Sequence, residues 1–307
     1  VLLRSIIRAV LTTFVGAALA SSAAAQTVST YQSNVTQGFG LLASPGGDLI
    51  VSQRNPVSTI LRVSINGTRS TFASGQGLND VVAMCWGSGG DIYAADFAGG
   101  PGRTGAIWRI SASGIVSLVT SSVARPAGIA RAADGTLYAS EYFTLKVKKI
   151  AQDGTVTTLA SPVGPPAGDV MGLAIAGNGD VLAGTKAGLY RITPAGSITA
   201  MATGFSVMSL ARGGDGAWYA AAYSENQLMR ITDGGQASVV AGTGTPGLLN
   251  GAPLSARFQL PSGIALLPSG DLMVADFGNN ALRVLALSAQ GVAVRHTSWG
   301  RIKALGR

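Results

Sequence analysis

Short apolar runs, each introduced by a glycine turn, recur from one end of the chain to the other. One of them, "DLMVAD" (Asp271 to Asp276), ends on a carboxylate followed, past Phe277, by Gly278, Asn279 and Asn280. Aligned on the turn glycine, the stretch is repeated as "SPGGDLIVSQ", "GSGGDIYAAD", "AADGTLYASE", "AGNGDVLAGT", "GGDGAWYAAA" and "LPSGDLMVAD". The anchors are Gly47, Gly90, Gly135, Gly179, Gly216 and Gly270, at intervals of 43, 45, 44, 37 and 54 residues, a period that marks a repeat architecture.

Each unit carries further parts in the same order. Upstream of the anchor lies another apolar strand, such as "GIARA" from Gly128 or "GIALL" from Gly263. Downstream come two more strands, as in "ILRVSINGTRSTFA" and "IWRISASGIVSLVT", joined by tight turns at Gly67, Gly114, Gly154, Gly196, Gly235 and Gly291. Four strands in each of six units predict an all-β fold, a six-bladed β-propeller of four-stranded antiparallel blades. The runs are continuous rather than alternating, as expected of strands packed between neighbours on both faces. Two closures of the ring are open: the last unit uses its own "GVAVRHT" from Gly291, or residues Thr27 to Gln37 supply or supplement its fourth strand.

Composition agrees with this reading. In 307 residues, 43 glycines and only 12% charged positions are too Gly-rich and charge-poor for a helical protein. The net charge of +8 is spread over single basic residues, apart from "KVKK" at Lys146 to Lys149, so no nucleic-acid partner is expected. At the amino terminus, Arg4 and Arg8 precede an apolar run from Ala9 to Ala20 and then Ala23-Ala24-Ala25. That order predicts a signal peptide over 1–25, a single propeller domain over 26–307 and a periplasmic or secreted, monomeric product with no membrane attachment after cleavage. Loss of Arg4 and Arg8 takes the charge from +8 to +6. Cys85 is the sole cysteine, so no intramolecular disulfide forms, and its "VVAMCW" context predicts a small buried hydrophobe.

The segment Val239 to Leu285, "VAGTGTPGLLNGAPLSARFQLPSGIALLPSGDLMVADFGNNALRVL", resembles an NHL-repeat propeller, and "ARPAGIARAADGTLYASEY" is a second clear copy. The resemblance places the chain in the wider superfamily of gluconolactonase and senescence-marker propellers. It covers nearly the whole mature chain as architecture.

Candidate chemistry follows from position in the repeat. The second strands end at Gln53, Asp96, Glu141, Thr185, Ala222 and Asp276, three of them acidic. Such acids either accept hydrogen bonds from loop amides or a nearby arginine, or rise into one mouth of the ring. The third strands carry a basic residue at what reads as one register, Arg62, Arg109, Lys149, Arg191, Arg230 and Arg283, a regularity that points to local pairing. Residues that break the repeat at one mouth form the candidate ligand site: Asp80, Asp96, Arg103, Arg125, Glu141, Tyr142, Asp169, Tyr223, Glu225 and Asp276. Among them Asp80, Glu141 and Asp169 are candidate ligands for Ca²⁺ or another divalent cation, which prefers oxygen donors. The insertion "FAGGPGRTG" and the loop Gly242 to Pro261 are expected to cover that mouth.

Several enzyme classes are disfavoured. His296 is the sole histidine, no G-x-S-x-G elbow occurs, and "GTGTPG" at Gly242 precedes a loop rather than a helix. A lyase of the streptogramin-cleaving propeller type needs a histidine near the mouth, and His296 sits near the end of the last unit. The gluconolactonase resemblance implies a metal held by Glu, Asn and Asp, with the Asn in P-N-G. Here the comparable places read Pro126-Ala127-Gly128 and Pro261-Ser262-Gly263, which removes that ligand, and the early E-G-P segment is not evident. Asp80 or Asp169 is the substitute such a site would need. The function expected is therefore binding of a small molecule or a protein at the mouth. The alternative is a divalent-metal-dependent lactonase or esterase.

Overall fold

A computed structural model of the chain describes residues 26–54, 58–98, 100, 104–165 and 169–287. The expected signal peptide, Arg103, "GVAVRHT" and His296 lie outside the described residues. Every anchor glycine of the repeat stands at positive φ, from 77° at Gly216 to 92° at Gly135, a conformation glycine takes without steric cost. These turns join the first and second strands of each unit.

The strands fall into six antiparallel four-stranded sheets. Chain entry forms β1 (Val28–Gln32). Blade one is β2 (Gly38–Ala43), β3 (Leu49–Gln53), β4 (Thr59–Val63) and β5 (Arg69–Ser74). Blade two is β6 (Val81–Trp86), β7 (Ile92–Asp96), β8 (Ala106–Ile110) and β9 (Val116–Thr120). Blade three is β10 (Pro126–Arg131), β11 (Leu137–Glu141), β12 (Lys146–Ile150) and β13 (Val156–Ala160). Blade four is β14 (Val170–Ile175), β15 (Val181–Thr185), β16 (Gly188–Ile192) and β17 (Ile198–Thr203). Blade five is β18 (Ser209–Arg212), β19 (Trp218–Ala222), β20 (Gln227–Ile231) and β21 (Ala237–Ala241). Blade six takes β22 (Pro261–Leu266), β23 (Leu272–Asp276) and β24 (Ala281–Leu285) from the end of the described chain, and β1 pairs with β24 to complete it.

Closure thus comes from the amino-terminal side, with Val28 opposite Leu285. Val28 is 1% exposed and packs with Leu285, Ala256 and Phe258, so the ring is sealed by apolar burial as well as by strand pairing. Without β1, the outer edge of β24 would be an unpaired strand edge.

The first strands converge on the axis, and their glycines show how close they come. A Cβ on Gly128 would lie 2.2 Å from the Met171 carbonyl oxygen, and on Gly172 or Gly263 it would lie 2.5 Å from that of Met208 or Phe39. Each obstructing carbonyl belongs to the first strand of the next blade, or to the residue that enters it. Hydroxyls cross the same seams: Ser140 donates to the Met171 carbonyl at 2.7 Å, and Ser262 to that of Phe39 at 3.1 Å. Cys85 is half-buried against the blade-two and blade-three core, and burial pushes its thiol up to about 12, so it stays protonated.

One reading of the repeat is corrected. Arg62, Arg109, Lys149, Arg191 and Arg230 each face the second residue of the preceding strand, but Arg283 faces Val274, the third. Val284 occupies the shared register. A shift of one residue turns a side chain to the other face of its sheet. Arg62, Arg109, Arg191 and Arg230 accordingly pair with Asp48, Asp91, Asp180 and Asp215 of their own blades, whereas Arg283 is fully buried.

Candidate functional site: the channel mouth

Asp96, Glu141 and Asp276 end the second strands of blades two, three and six, and all three are buried. Each accepts an amide of the loop that leads into its own blade's first strand. Asp96 takes the N–H groups of Asn79 and Asp80 at 2.8 and 2.7 Å, Glu141 that of Ala124 at 3.1 Å, and Asp276 that of Gln259 at 2.7 Å. The middle residue of the neighbouring third strand lies on the same face, because side chains alternate, and supplies a further donor or cation. Trp108 Nε1 donates to Asp96 at 3.1 Å, Lys148 Nζ lies 3.9 Å from Glu141, and Arg283 donates to Asp276 at 2.7 Å. Burial pushes the Asp96 carboxyl above the usual carboxylate range, against the pull of the Asp80 and Asn79 amides and the Trp108 indole.

Blade five has Ala222 at this position, and Glu225 takes over by accepting the amide and hydroxyl of Ser206 at 3.0 and 2.5 Å. In blade four Thr185 Oγ1 accepts the amides of Ala187 and Gly188 at 3.0 and 3.1 Å. In blades two, three, five and six a carboxylate therefore clamps the loop into the first strand, whereas Thr185 holds the turn after its own strand.

Asp80 and Asp169 immediately precede the first strands of blades two and four and hold cations. Arg54 grips Asp80 through two bonds, Nε to Oδ1 at 2.6 Å and a terminal nitrogen to Oδ2 at 2.8 Å. Lys186 is ion-paired with Asp169. Among the described residues no three His, Cys, Asp or Glu side chains come together as a metal donor set. Asp80, Glu141 and Asp169 each have their own partners and do not fit a divalent cation, so no chemical step is routed through one.

The residue directly after each second strand forms the ring that the alignment on acids passed over: Arg54, Phe97, Tyr142, Lys186, Tyr223 and Phe277. In blade order this is a cation followed by two aromatics, twice. The amides of Arg54, Phe97, Tyr142 and Lys186 donate to the carbonyls of Gln37, Asp80, Arg125 and Asp169, each the residue before its own first strand. The two kinds of loop are thereby tied at one end of the ring. They surround a cavity of about 210 Å³ lined by Phe39, Arg54, Phe97, Tyr142, Met208 and Tyr223, with Val82 and Ala127.

The aromatic side chains form two clusters. Phe39 meets Phe277 edge to face at 5.3 Å, and Tyr223 lies 6.4 Å from both. Phe97, Tyr142 and Phe143 make the second trio, with centroids 5.6, 6.2 and 4.8 Å apart. Cations lie over the rings: Arg54 over Phe39 at 4.7 Å, Arg125 over Phe97 at 5.2 Å and Lys186 over Tyr142 at 5.4 Å. Burial raises the phenol pKa values of Tyr142 and Tyr223, so both hydroxyls stay protonated.

Of the residues singled out from sequence, Tyr142 and Tyr223 line the cavity. Arg125 stands over one of its rings, and Asp80 orders a lining cation, Arg54, while Asp169 holds Lys186. Asp96, Glu141, Glu225 and Asp276 clamp the surrounding loops. The loop Gly242 to Pro261 contributes nothing to the lining; it packs along blade six, with Gly251 bridged to Val28 and the Leu249 carbonyl bound by Arg283. Phe39, Arg54, Phe97, Lys186 and Phe277 were not singled out. The signal for all but Phe39 was one column to the right of the acids, where six of six residues are aromatic or basic.

Residues 258–285 match the family model for the NHL repeat, which runs from Phe258 through β24 and contains both Asp276 and Arg283. The chain is a six-bladed β-propeller carrying an NHL repeat. Among solved structures this propeller is similar to an auxiliary nutrient binding protein from Bacteroides thetaiotaomicron, with 14% identity over 85% of this chain and 76% of that one and a TM-score of 0.69. It is also similar to virginiamycin B lyase from Staphylococcus aureus, at 17% identity, 84% and 85% coverage and a TM-score of 0.60. A third structure, assigned to the gluconolactonases by name, shares 15% identity over 85% of this propeller and 91% of its own chain, with a TM-score of 0.64. Identities this low show a common fold alone. No curated protein matches the sequence. No helix among the described residues is long and apolar enough to cross a membrane.

Proposed function

We propose that this propeller is an exported, monomeric binding module that takes a small molecule or a protein segment at the mouth where the second strands end. One observation carries the reading: two three-ring aromatic clusters stand around a cavity of about 210 Å³ at the entry of the first strands. Apolar faces with a few fixed polar groups are what a recognition pocket offers. In this reading Tyr142 and Tyr223 are contact residues. Arg125 stands on the rim, and Asp80 and Asp169 hold Arg54 and Lys186 in place. Asp96, Glu141 and Asp276 keep the loops rigid beneath them. Export rests on the amino-terminal segment, and the nutrient-binding name of one structural neighbour is consistent with a binding role.

The test is a thermal-shift screen of small aromatic acids and saccharides, followed by titration of the best binder into Tyr223→Ala and Phe277→Ala. Loss of at least about tenfold in affinity with an unchanged circular dichroism spectrum is expected, since buried aromatic anchors dominate such sites. Lactone hydrolysis supported by added Ca²⁺ or Zn²⁺ and abolished in Asp169→Ala would overturn the binding-module reading in favour of a metal-dependent hydrolase.

A further inference from the structure

We infer that the mouth selects a flat aromatic ligand bearing one anionic group, with the anion taken by Arg125 and the ring by the Phe97, Tyr142 and Phe143 corner. This rests on the binding-module reading and adds the ligand class. The first observation is a count of charge. Of the three cations that lie over mouth aromatics, Arg54 is held by Asp80 and Lys186 by Asp169. Arg125 is exposed, and among the described residues its guanidinium has no acidic partner. Arg54 and Lys186 are thus ion-paired, and Arg125 is the one of the three with no ion pair among the described residues. Glu141 of the same blade has its own cation, Lys148 at 3.9 Å, and is further held by the Ala124 amide and the Thr144 hydroxyl at 2.6 Å.

The second observation is backbone geometry. Arg125 is held at φ 44°, a left-handed conformation that a non-glycine residue adopts only at a cost. Its amide donates to the Thr104 carbonyl at 2.7 Å and its carbonyl accepts the Tyr142 amide at 3.3 Å. The cation and the ring that follows the second strand are therefore positioned by the same link.

The third is an exposed aromatic corner. Tyr142 and Phe143 stand at 89° with centroids 4.8 Å apart, and Phe143 leaves 65% of its surface in water. A flat ring placed there meets one neighbour face-on and the other edge-on, both favourable for aromatic pairs. Phe97 meets both this corner and Arg125, its ring centroid 5.6 Å from that of Tyr142 and 5.2 Å from the Arg125 guanidinium. A ligand that meets both the guanidinium and this trio carries its anion on the aromatic body. An aryl carboxylate, sulfonate or phosphate satisfies this.

The probes are 2-naphthoate and its neutral isostere 2-naphthamide, titrated calorimetrically into the full chain. The acid is expected to bind about tenfold more tightly, as one charge-assisted hydrogen bond implies, and added salt is expected to narrow the gap. Arg125→Asn keeps a residue that tolerates positive φ and should erase the preference, while Phe143→Ala, on an exposed side chain, should weaken both probes. Equal binding of acid and amide, both lost in Tyr223→Ala, overturns the anionic class and leaves the binding module standing. Binding of neither probe, or a preference that survives Arg125→Asn, also overturns the inference.

Discussion

Arg283 shows how much one residue's setting depends on a single step of register. Its guanidinium is fully buried against Asp276, the carbonyls of Arg257 and Leu249 at 3.0 and 2.8 Å and the side chain of Asn250 at 2.8 Å, with Phe258 beneath it. One guanidinium therefore anchors the long loop before β22. Its Nε has no partner among the described residues, which leaves a buried donor that the pairing with Asp276 must offset. Replacing Arg283 with methionine strands the Asp276 carboxylate and should cost about 3–5 kcal/mol in urea denaturation. The Arg283→Met, Asp276→Asn pair should lose less than the two single changes summed, because no uncompensated charge remains. A single-variant cost near zero would show that the pair contributes nothing to stability. The acids at the second-strand ends were legible as a column of the repeat. Their donors were not, because the amides of Asn79, Ala124 and Gln259 precede them by 17 residues, across a first strand and its turn.

Individual strands were the most legible part of the fold. A glycine at positive φ between two apolar runs is a local instruction, and it reads the same in every blade. The closely packed glycines at the axis are different, since Gly128 sits in a strand where most residues fit and is required by the Met171 carbonyl of the adjacent blade. Gly128→Ala is expected to destabilise by about 1–3 kcal/mol or more, as overpacking does. Gly177→Ala, where no atom lies within 4 Å of the added methyl and φ is not left-handed, should be neutral or stabilising by about 0.4–1 kcal/mol. Comparable effects of the two substitutions on the melting temperature would contradict the close approach of blades three and four. The mouth ring belongs to this scale as well. A strand end followed by an aromatic or basic residue is visible in each unit, but its gathering around one cavity needs six units in a circle.

For the whole molecule the decisive feature is the clasp between β1 and β24. Removing residues 26–32 should expose the β24 edge and the apolar seam around Leu285, Ala256 and Phe258. The expected result is a lower urea midpoint, with blade-six amides losing hydrogen-exchange protection before those of blades two to four. Uniform protection in the truncated chain would mean that the ring closes by other means. Blade number, strand count and turn positions were written in the sequence, because each depends on φ preferences and apolar runs within about forty residues of chain. The tertiary structure alone decided which terminus supplies the last strand, which face Arg283 presents and which acids clamp loops. It also brought Phe39, Phe97, Tyr142 and Tyr223 around one opening. Those facts depend on distances between residues far apart in the chain, and such distances exist only once the ring has closed.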